Sequence, residues 1–196
     1  MRETILRAFG ASETVADGAG WQAIAATQVA DDTLTPAAVL VPLIDRADGM
    51  TVLLTQRTSH LPSHAGQISF PGGRRQATDR SPEDTALRET EEEIGLVRRH
   101  VSLVGRLGVR ETGTGYRVVP VVGLVAPGFA LVPDPSEVEE IFEVPLAFLL
   151  DPANHKFGTR VTRGVERQFY AIPYGRHDIW GLTARFLVNL SEFVRR

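Results

Sequence analysis

The sequence predicts an α+β domain in which helices are inserted into a mixed β-sheet. Several apolar runs have the length of strands and are separated by Gly- and Pro-rich turns, whereas a few other segments have helical apolar spacing. These elements do not alternate strictly between strand and helix, which favours α+β over a regular α/β arrangement. The 196 residues suffice for one domain. We divide the chain into an N-terminal segment, residues 1–36, and a domain, residues 37–196.

The first half of the chain is predicted to start with a helix and continue as strands. Residues 2–9 form a short helix, and residues 10–36, rich in Ala, Thr, Asp and Gly, are irregular or weakly helical. The ordered core then begins with a hairpin that turns at residues 45–49. The predicted strands are residues 37–44, 51–57 and 67–70, the last ended by Pro71-Gly72-Gly73 and followed by a polar loop at 74–80.

A helix with clear start and stop signals follows this loop. Ser81 is a suitable N-cap, Pro82 suits the first helical position, and Glu83 and Asp84 favour the positive end of the helix dipole. Gly95 stands where a helix ends in the left-handed conformation. Leu87, Thr90 and Ile94, flanked by Ala86, form the predicted packing face, with the glutamates beside it.

The second half of the chain is predicted to contain two hairpins and two helices. Strands at residues 101–109 and 116–125 flank a turn at 111–115, and residues 133–140 form an acidic loop. Strands at 156–162 and 168–172 turn at residues 163–164. The predicted helices are residues 145–150 and the amphipathic segment 180–194.

Composition excludes several classes of function. With a net charge of −3, the chain has no global basic field for nucleic acid or an anionic membrane. It has no cysteine, so disulfides, thiolate catalysis and Cys-ligated zinc are excluded. Residues 1–30 lack the apolar region of a signal peptide, and no apolar run is long enough to span a bilayer. We expect a cytoplasmic protein.

A cluster of glutamates on the predicted helix suggests a metal site. Glu89, Glu92 and Glu93 fall within an arc of about 100° on the helix, while Glu91 points the other way. Like charges three or four residues apart destabilise a helix by about 0.2–0.5 kcal/mol per pair, and a bound cation would offset that cost. Carboxylates on one face suit Mg²⁺ or Mn²⁺. The alternative is a solvated acidic face.

The residues around this cluster resemble the Nudix box, the signature of the Nudix hydrolase family. Its second half matches at Arg88, Glu89, Glu92, Glu93, Gly95 and Leu96, with Thr90 at an apolar position, and Gly72-Gly73 precede it. The first half departs from the pattern. The loop is one residue longer and its glutamate has no counterpart, because Arg80 occupies the spacing and Asp79 is the nearest acid.

The segment before the box resembles the coenzyme A pyrophosphatase branch of that family. The matching stretches are residues 53–57 and 64–73, and further matches occur at 114–116, 120–123, 137–138, 142–146 and 179–184. The longer loop is also typical of this branch. Two positions differ, because Pro62 stands where the branch has Arg and Thr58 where it has Ser or Ala.

The resemblance implies a Nudix fold, an α/β/α sandwich with a mixed central β-sheet, and a Mg²⁺ or Mn²⁺ cofactor. Glu89 and Glu93 would be the main metal ligands, Glu92 a further ligand or a residue that orients water, and the Gly73 carbonyl would complete the shell. Arg88 would orient a glutamate of the box. The general base is left open between Glu93 and Glu137.

Residues of the segment before the box are the candidates for substrate binding: Arg57, Gln67, Ser69 and Phe70. Phe70 fits a pocket wall or the core, and a structural hydrogen bond is expected for His64. Other arginines, with a surface charge as the alternative, are Arg74, Arg75, Arg106, Arg110 and Arg117. Trp180, Phe186 and Leu187 are predicted core residues of the last helix.

The predicted function is metal-dependent hydrolysis of coenzyme A or acyl-coenzyme A to 3′,5′-ADP and 4′-phosphopantetheine or its acylated form. Two alternatives stay open. The first is a pyrophosphatase for another nucleoside diphosphate derivative, such as ADP-ribose, NADH or a dinucleotide. The second is a nucleotide-binding regulator without turnover. The partner is a small nucleotide, with neither nucleic acid nor membrane, and the family analogy allows a homodimer.

Overall fold

The computed structural model of the chain describes residues 1–10, 21, 33–61, 64–162 and 165–196. Its helices in these ranges are α1 (Arg2–Gly10), α2 (Pro82–Ile94), α3 (Leu146–Leu150) and α4 (Gly181–Val194). Its strands are β1 (Thr35–Arg46), β2 (Gly49–Arg57), β3 (Ile68–Ser69), β4 (Gly72–Arg74), β5 (Val101–Arg106), β6 (Arg110–Glu111), β7 (Tyr116–Val125), β8 (Val138–Pro145), β9 (Lys156–Thr162), β10 (Val165–Tyr174) and β11 (His177–Trp180).

The strands form a mixed eight-stranded sheet and a separate three-stranded sheet. The central order of the large sheet is β3-β2-β1-β7-β5, with β4 on β1, β6 on β7 and β8 on β2. β1 and β7 run parallel over ten residue pairs, from Thr35↔Tyr116 to Ile44↔Val125. The other pairings are antiparallel. The small sheet has the antiparallel order β11-β10-β9.

Helices cover both faces of the large sheet, which confirms the predicted α+β class and sandwich architecture. On one face, α2 packs its buried Ala86, Leu87 and Ile94 on apolar residues of β1 and β7. The other face carries α1, α3 and α4 in a second apolar cluster. Because side chains alternate along a strand, Ala38 lies under α2 while Ala37 faces the second cluster.

The predicted signals of helix α2 are confirmed. The Ser81 hydroxyl accepts a hydrogen bond of 3.3 Å from the backbone N–H of Asp84. At the other end, Gly95 has φ of 71° and its N–H donates to the Glu91 carbonyl at 3.0 Å. Both ends satisfy backbone groups that a helix leaves unpaired, so this helix is fixed locally by its own sequence.

Helix α1 packs on the domain through two apolar side chains. Ile5 is fully buried and Phe9 is 5% exposed. The Phe9 ring lies 4.5 Å from the ring of Phe193 in α4, measured between centroids. Most of the predicted irregular segment 10–36 lies outside the described residues, as do the turn residues 163–164 of the second hairpin and Pro62.

Several predicted elements differ from the structure. The predicted acidic loop 133–140 runs into β8, which starts at Val138 because it pairs with β2 along its length. As an edge strand β8 tolerates the glutamates that suggested a loop. Gly72-Gly73 do not merely end a strand but form β4 on β1. The first strand of the second half ends at Arg106 rather than residue 109, and Trp180 ends β11 instead of starting a helix. Within the described ranges, no helix combines the length and apolar character needed to cross a membrane.

Candidate active site

A cavity of about 700 Å³ opens between the sheet and the N-terminal end of α4. Its floor includes Ala37 and Val39 of β1 and Val118 of β7, all on the sheet face turned away from α2. Its walls come from β3, from the tip of the β6–β7 hairpin and from residues 180–183. Three acidic side chains line it: Glu89, Glu93 and Glu137.

The two glycines of β4 lie where α2 and β1 approach this strand most closely. A Cβ atom at position 73 would lie 2.5 Å from Oε2 of Glu89, so a side chain there would collide with the carboxylate. At position 72, φ is +152° and a Cβ would overlap the Ala38 carbonyl oxygen. Glycine at position 73 therefore leaves room for the Glu89 carboxylate, and glycine at position 72 allows β4 to lie close to β1.

Glu93 is the most deeply buried acid of the cavity. It is 5% exposed, and its Oε2 accepts a hydrogen bond of 3.2 Å from the backbone N–H of Gly72. Burial raises the pKa of Glu93 to about 8, although the Gly72 N–H and the Arg57 guanidinium oppose this shift. The charges of Glu137 and Glu89 raise this pKa further. Glu93 is therefore not a solvated acid, although it lines the cavity and does not belong to the apolar packing face of α2.

Glu89 lies next to Glu93 but keeps an arginine partner. Its Oε1 accepts a hydrogen bond of 2.8 Å from Nη1 of Arg88. Burial raises the pKa of Glu89, Arg88 lowers it, and the charges of Glu92 and Glu137 raise it again. Both carboxylates therefore resist ionisation where they stand, and a cation would relieve that resistance.

Glu92 stands apart from the other two glutamates. Its side chain is 56% exposed and its Oε2 accepts a hydrogen bond of 2.9 Å from Nη1 of Arg88. It does not line the cavity. Its predicted part as a metal ligand or water-orienting residue stays a prediction, and this geometry offers it no direct approach to the cavity.

Arg88 connects the glutamates to the loop that precedes their helix. Its Nε and Nη2 donate to both oxygens of Asp79, at 3.1 and 2.9 Å, and its Nη1 contacts Glu89 and Glu92. Nη2 also donates to the carbonyl of Arg74 at 2.9 Å. The guanidinium is therefore fully occupied by the protein, as expected of a residue that orients glutamates.

Asp79 is the member of this network that the sequence left without a role. It is 5% exposed and also accepts hydrogen bonds from the Thr85 hydroxyl at 2.9 Å and the Gln76 N–H at 2.8 Å. The bidentate contact with Arg88 holds the pKa of Asp79 down to about 2, against the effect of burial. The signal was present, since the longer loop sets an acid one position before the spacing that Arg80 occupies.

The predicted substrate-binding residues all line the cavity: Arg57, Gln67, Ser69 and Phe70. Nη1 of Arg57 lies 3.9 Å from Oε1 of Glu93, and its buried Nε has no hydrogen-bond partner among the described residues. Oε1 of Gln67 lies 2.8 Å from Nδ1 of His64, the structural contact expected for that histidine. Phe70 is 3% exposed and forms wall and core together.

Other predicted residues lie in different places. Arg106 and Arg117 are buried in ion pairs with Glu83 and Glu111, so the alternative of a surface charge is wrong for both. Arg110 is exposed on β6. Phe186 and Leu187 are buried as predicted, but Trp180 is partly exposed and lines the cavity. The hairpin tip at residues 112–114 also lines it, and the matching stretch 114–116, to which no role was assigned, was the signal for it in the sequence.

The acidic residues of the cavity are chemically suited to bind a divalent cation, but their side chains do not form a complete set of ligands as they stand. Glu89, Glu93 and Glu137 are oxygen donors of the kind that Mg²⁺ and Mn²⁺ prefer. Glu137 raises the pKa of both other acids, which places the three charges within electrostatic range. In the part of the chain that the structure describes, however, no three His, Cys, Asp or Glu side chains already converge as a metal-binding group. Arg88 holds one oxygen of Glu89 instead.

Both a protein-family model and individual protein sequences match this chain. A NUDIX domain family model matches residues 34–163. The chain is 42% identical over 159 residues to the uncharacterized Nudix hydrolase NudL of Photorhabdus laumondii, covering 81% of this chain and 84% of that protein. For the protein of the same name in Yersinia pestis, the identity is 39% over 158 residues, covering 81% and 79%.

Solved structures share the fold. A MutT/nudix family protein from Enterococcus faecalis has a TM-score of 0.50 at 21% identity, covering 83% of this chain and 61% of that one. The Nudix hydrolase RenU from M. smegmatis has a TM-score of 0.50 at 22% identity, covering 58% of this chain and 71% of that one. At this identity the likeness concerns the fold alone.

Proposed function

Because this chain belongs to the NUDIX family, hydrolases that act on pyrophosphate anhydrides, we propose that it cleaves coenzyme A or acyl-coenzyme A. The products would be 3′,5′-ADP and 4′-phosphopantetheine or its acylated form. Water adds to one phosphorus and the bond from that phosphorus to the bridging oxygen breaks, so each product carries a terminal phosphate.

One observation carries the substrate proposal. The segment before the glutamate helix, which resembles the coenzyme A pyrophosphatase branch, supplies the walls of the same cavity that holds Glu89 and Glu93. Arg57, Gln67, Ser69 and Phe70 all face this space. A pocket of about 700 Å³ with mostly apolar walls and a few polar groups suits a large organic substrate.

Members of this family use divalent metal ions, and we propose Mg²⁺ or Mn²⁺ held by Glu89 and Glu93 near the Gly73 carbonyl. When bound, the ion supplies charge neutralisation at the phosphates and lowers the pKa of water. Arg57 stands beside Glu93 and lines the cavity, so its guanidinium offers a positive charge to a phosphate there. Arg88 keeps Glu89 in place without touching the substrate.

Two side chains can take the proton from the attacking water. Glu93 has a pKa of about 8, close to the pH at which a general base works best. Glu137 lies on the loop before β8 and faces the same space. A residue that ligates the metal is a poorer base than a free one, so the choice depends on which carboxylate the ion occupies.

The substrate is tested by comparing a panel of pyrophosphates under one set of conditions. Purified protein with Mg²⁺ or Mn²⁺ is given coenzyme A, acyl-coenzyme A, ADP-ribose, NADH and a dinucleotide, and the products are separated by chromatography. We expect the two coenzyme A compounds to have the highest kcat/KM. Turnover of ADP-ribose without turnover of coenzyme A would contradict the substrate, and tight nucleotide binding without any turnover would favour the regulator. A cytoplasmic location and a homodimer stay predictions.

A further inference from the structure

Arg74, at the end of β4, is a positively charged residue of the cavity that forms no ion pair with the described glutamates. In the sheet, Arg74 lies opposite Ala37 of β1, and Ala37 lies opposite Val118 of β7. All three residues line the cavity. Side chains alternate along a strand, so Arg74 faces the cavity floor while position 73 faces Glu89. The residue is exposed.

The Arg74 guanidinium is held by an aromatic ring rather than by an acid. Its Cζ lies 5.3 Å from the centroid of the Tyr116 ring, and Nη2 donates a hydrogen bond to the Tyr116 hydroxyl. No carboxylate of the described residues forms an ion pair with it. A guanidinium stacked on a ring keeps most of its donors and its full charge for a ligand.

The hairpin tip beside Tyr116 adds polar groups to the same rim. Thr112, Gly113 and Thr114 line the cavity, and the two threonine hydroxyls lie 3.0 Å apart. Thr112 Oγ1 also accepts a hydrogen bond of 3.0 Å from the Tyr116 N–H, which fixes the tip against β7. Arginine, hydroxyls and a glycine backbone together form the kind of surface that binds phosphate oxygens.

The described part of the cavity has two arginines, one near an acid and one against an aromatic ring. Arg57 is 3.9 Å from Glu93 and belongs to the reaction end. Arg74 follows Gly73 directly, and its carbonyl is bound by the same Arg88 that holds Glu89. A phosphate bound to Arg74 would therefore sit beside the reaction centre without being part of it.

On the premise of the proposed function, we propose that Arg74, held by Tyr116, binds the ribose 3′-phosphate of the substrate. That group distinguishes coenzyme A from dephospho-coenzyme A, ADP-ribose and NADH, which share the pyrophosphate but lack this dianion. The planar guanidinium can bind two oxygens of a phosphate at once. Arg74 is thereby the residue that sets specificity for the nucleotide half.

The test compares coenzyme A with dephospho-coenzyme A in Arg74→Gln. The measured quantity is the ratio of their kcat/KM values, because a general structural defect lowers both values together. We expect wild-type protein to favour coenzyme A, and Arg74→Gln to lower the ratio by about 10- to 100-fold, as for loss of hydrogen bonds to a charged group. Tyr116→Phe should lower it less, since the stacked ring remains.

Arg75→Gln is the matched control. Arg75 is the next residue, is also exposed, and lies over Trp21 at 5.7 Å instead of lining the cavity. Its substitution should leave the ratio within about twofold of wild type. A ratio unchanged in Arg74→Gln, with coenzyme A still cleaved, would overturn the subsite and leave the proposed function intact. A wild-type protein that cleaves neither compound would overturn the proposed function itself.

Discussion

Glu93 is a carboxylate in a place that penalises its charge. It is 5% exposed, between the Gly72 N–H and the charge of Arg57, and two further acids lie within electrostatic range. Burying an ionisable group without full pairing costs free energy. Such groups are found mainly where they have a function. The arrangement is consistent with a side chain kept ready for a cation.

Metal affinity should therefore depend on pH through this residue. With the pKa of Glu93 at about 8, the carboxylate is protonated in most molecules at pH 7, and metal binding must release that proton. Below pH 8, we expect the affinity for Mn²⁺ to rise up to about tenfold per pH unit, and to level off above it. Calorimetric titration between pH 6 and pH 9, in buffers of different ionisation enthalpy, measures affinity and proton release. An affinity independent of pH would contradict the account.

Asp79 acts on the metal end through another residue. Asp79→Asn keeps the size of the side chain but loses the charge that holds Arg88, which in turn holds Glu89. We expect the Mn²⁺ affinity to fall by about 10- to 100-fold, as for other residues that orient metal ligands. The titration is repeated with Asp79→Glu, which retains the charge and should recover part of the loss. Equal Mn²⁺ affinity in Asp79→Asn and wild type would show that Asp79 does not help to position Glu89.

At the scale of elements, β4 and α2 make the site together. The helix supplies carboxylates on one side, and the strand has glycine at position 73, where a side chain would collide with Glu89. Helix α2 could be predicted because its cap residues act locally. The role of β4 could not, because it comes from pairing with β1 and from the approach of Glu89 to Gly73.

Gly73→Ala separates the site from the fold. The new Cβ would collide with the carboxylate of Glu89, the mobile end of a side chain, while the backbone at this position needs no positive φ. We expect the melting temperature to change by no more than about 2–4 °C, the shift for 1 kcal/mol in a domain of this size. Turnover should fall by at least about tenfold because Glu89 is displaced.

The control for that variant is Gly108→Ala. A Cβ at position 108 would have no neighbour within 4 Å and also needs no positive φ. Melting curves and kcat are measured for both variants. Normal turnover in Gly73→Ala would show that the position of Glu89 does not matter, whereas a large loss of stability would mean that Glu89 could not move aside.

At the scale of the whole molecule, the cavity joins distant parts of the chain. The segment around residues 53–73 and the glutamate helix carry local patterns, and the sequence alone therefore predicted the reaction end. The wall from α4 and the rim at residues 112–114 come from the packing of the second half. Trp180 was assigned to the core for the same reason, since helical apolar spacing does not tell a core position from a cavity wall.

Helix α1 contributes stability to this assembly from outside the site. Phe9 packs on Phe193, and a Cβ at Gly105 would lie 2.7 Å from its ring, so the fit is close. Phe9→Ala should lower the free energy of unfolding by about 3–5 kcal/mol, as for other buried aromatic truncations, and leave KM unchanged. Leu6→Ala, at a residue that is 43% exposed, should cost much less. Denaturant unfolding measures both, and equal losses would contradict this packing.

The central claim is that Glu93 supports metal-dependent cleavage of coenzyme A, and one side-by-side assay tests it. Wild-type protein and Glu93→Gln are incubated with coenzyme A and Mg²⁺ or Mn²⁺, and the products are resolved by chromatography. We predict 3′,5′-ADP and 4′-phosphopantetheine in equal amounts from wild type, and turnover at least about 100-fold lower in the folded variant. Near-normal turnover in Glu93→Gln, or intact coenzyme A with wild type, would contradict the account.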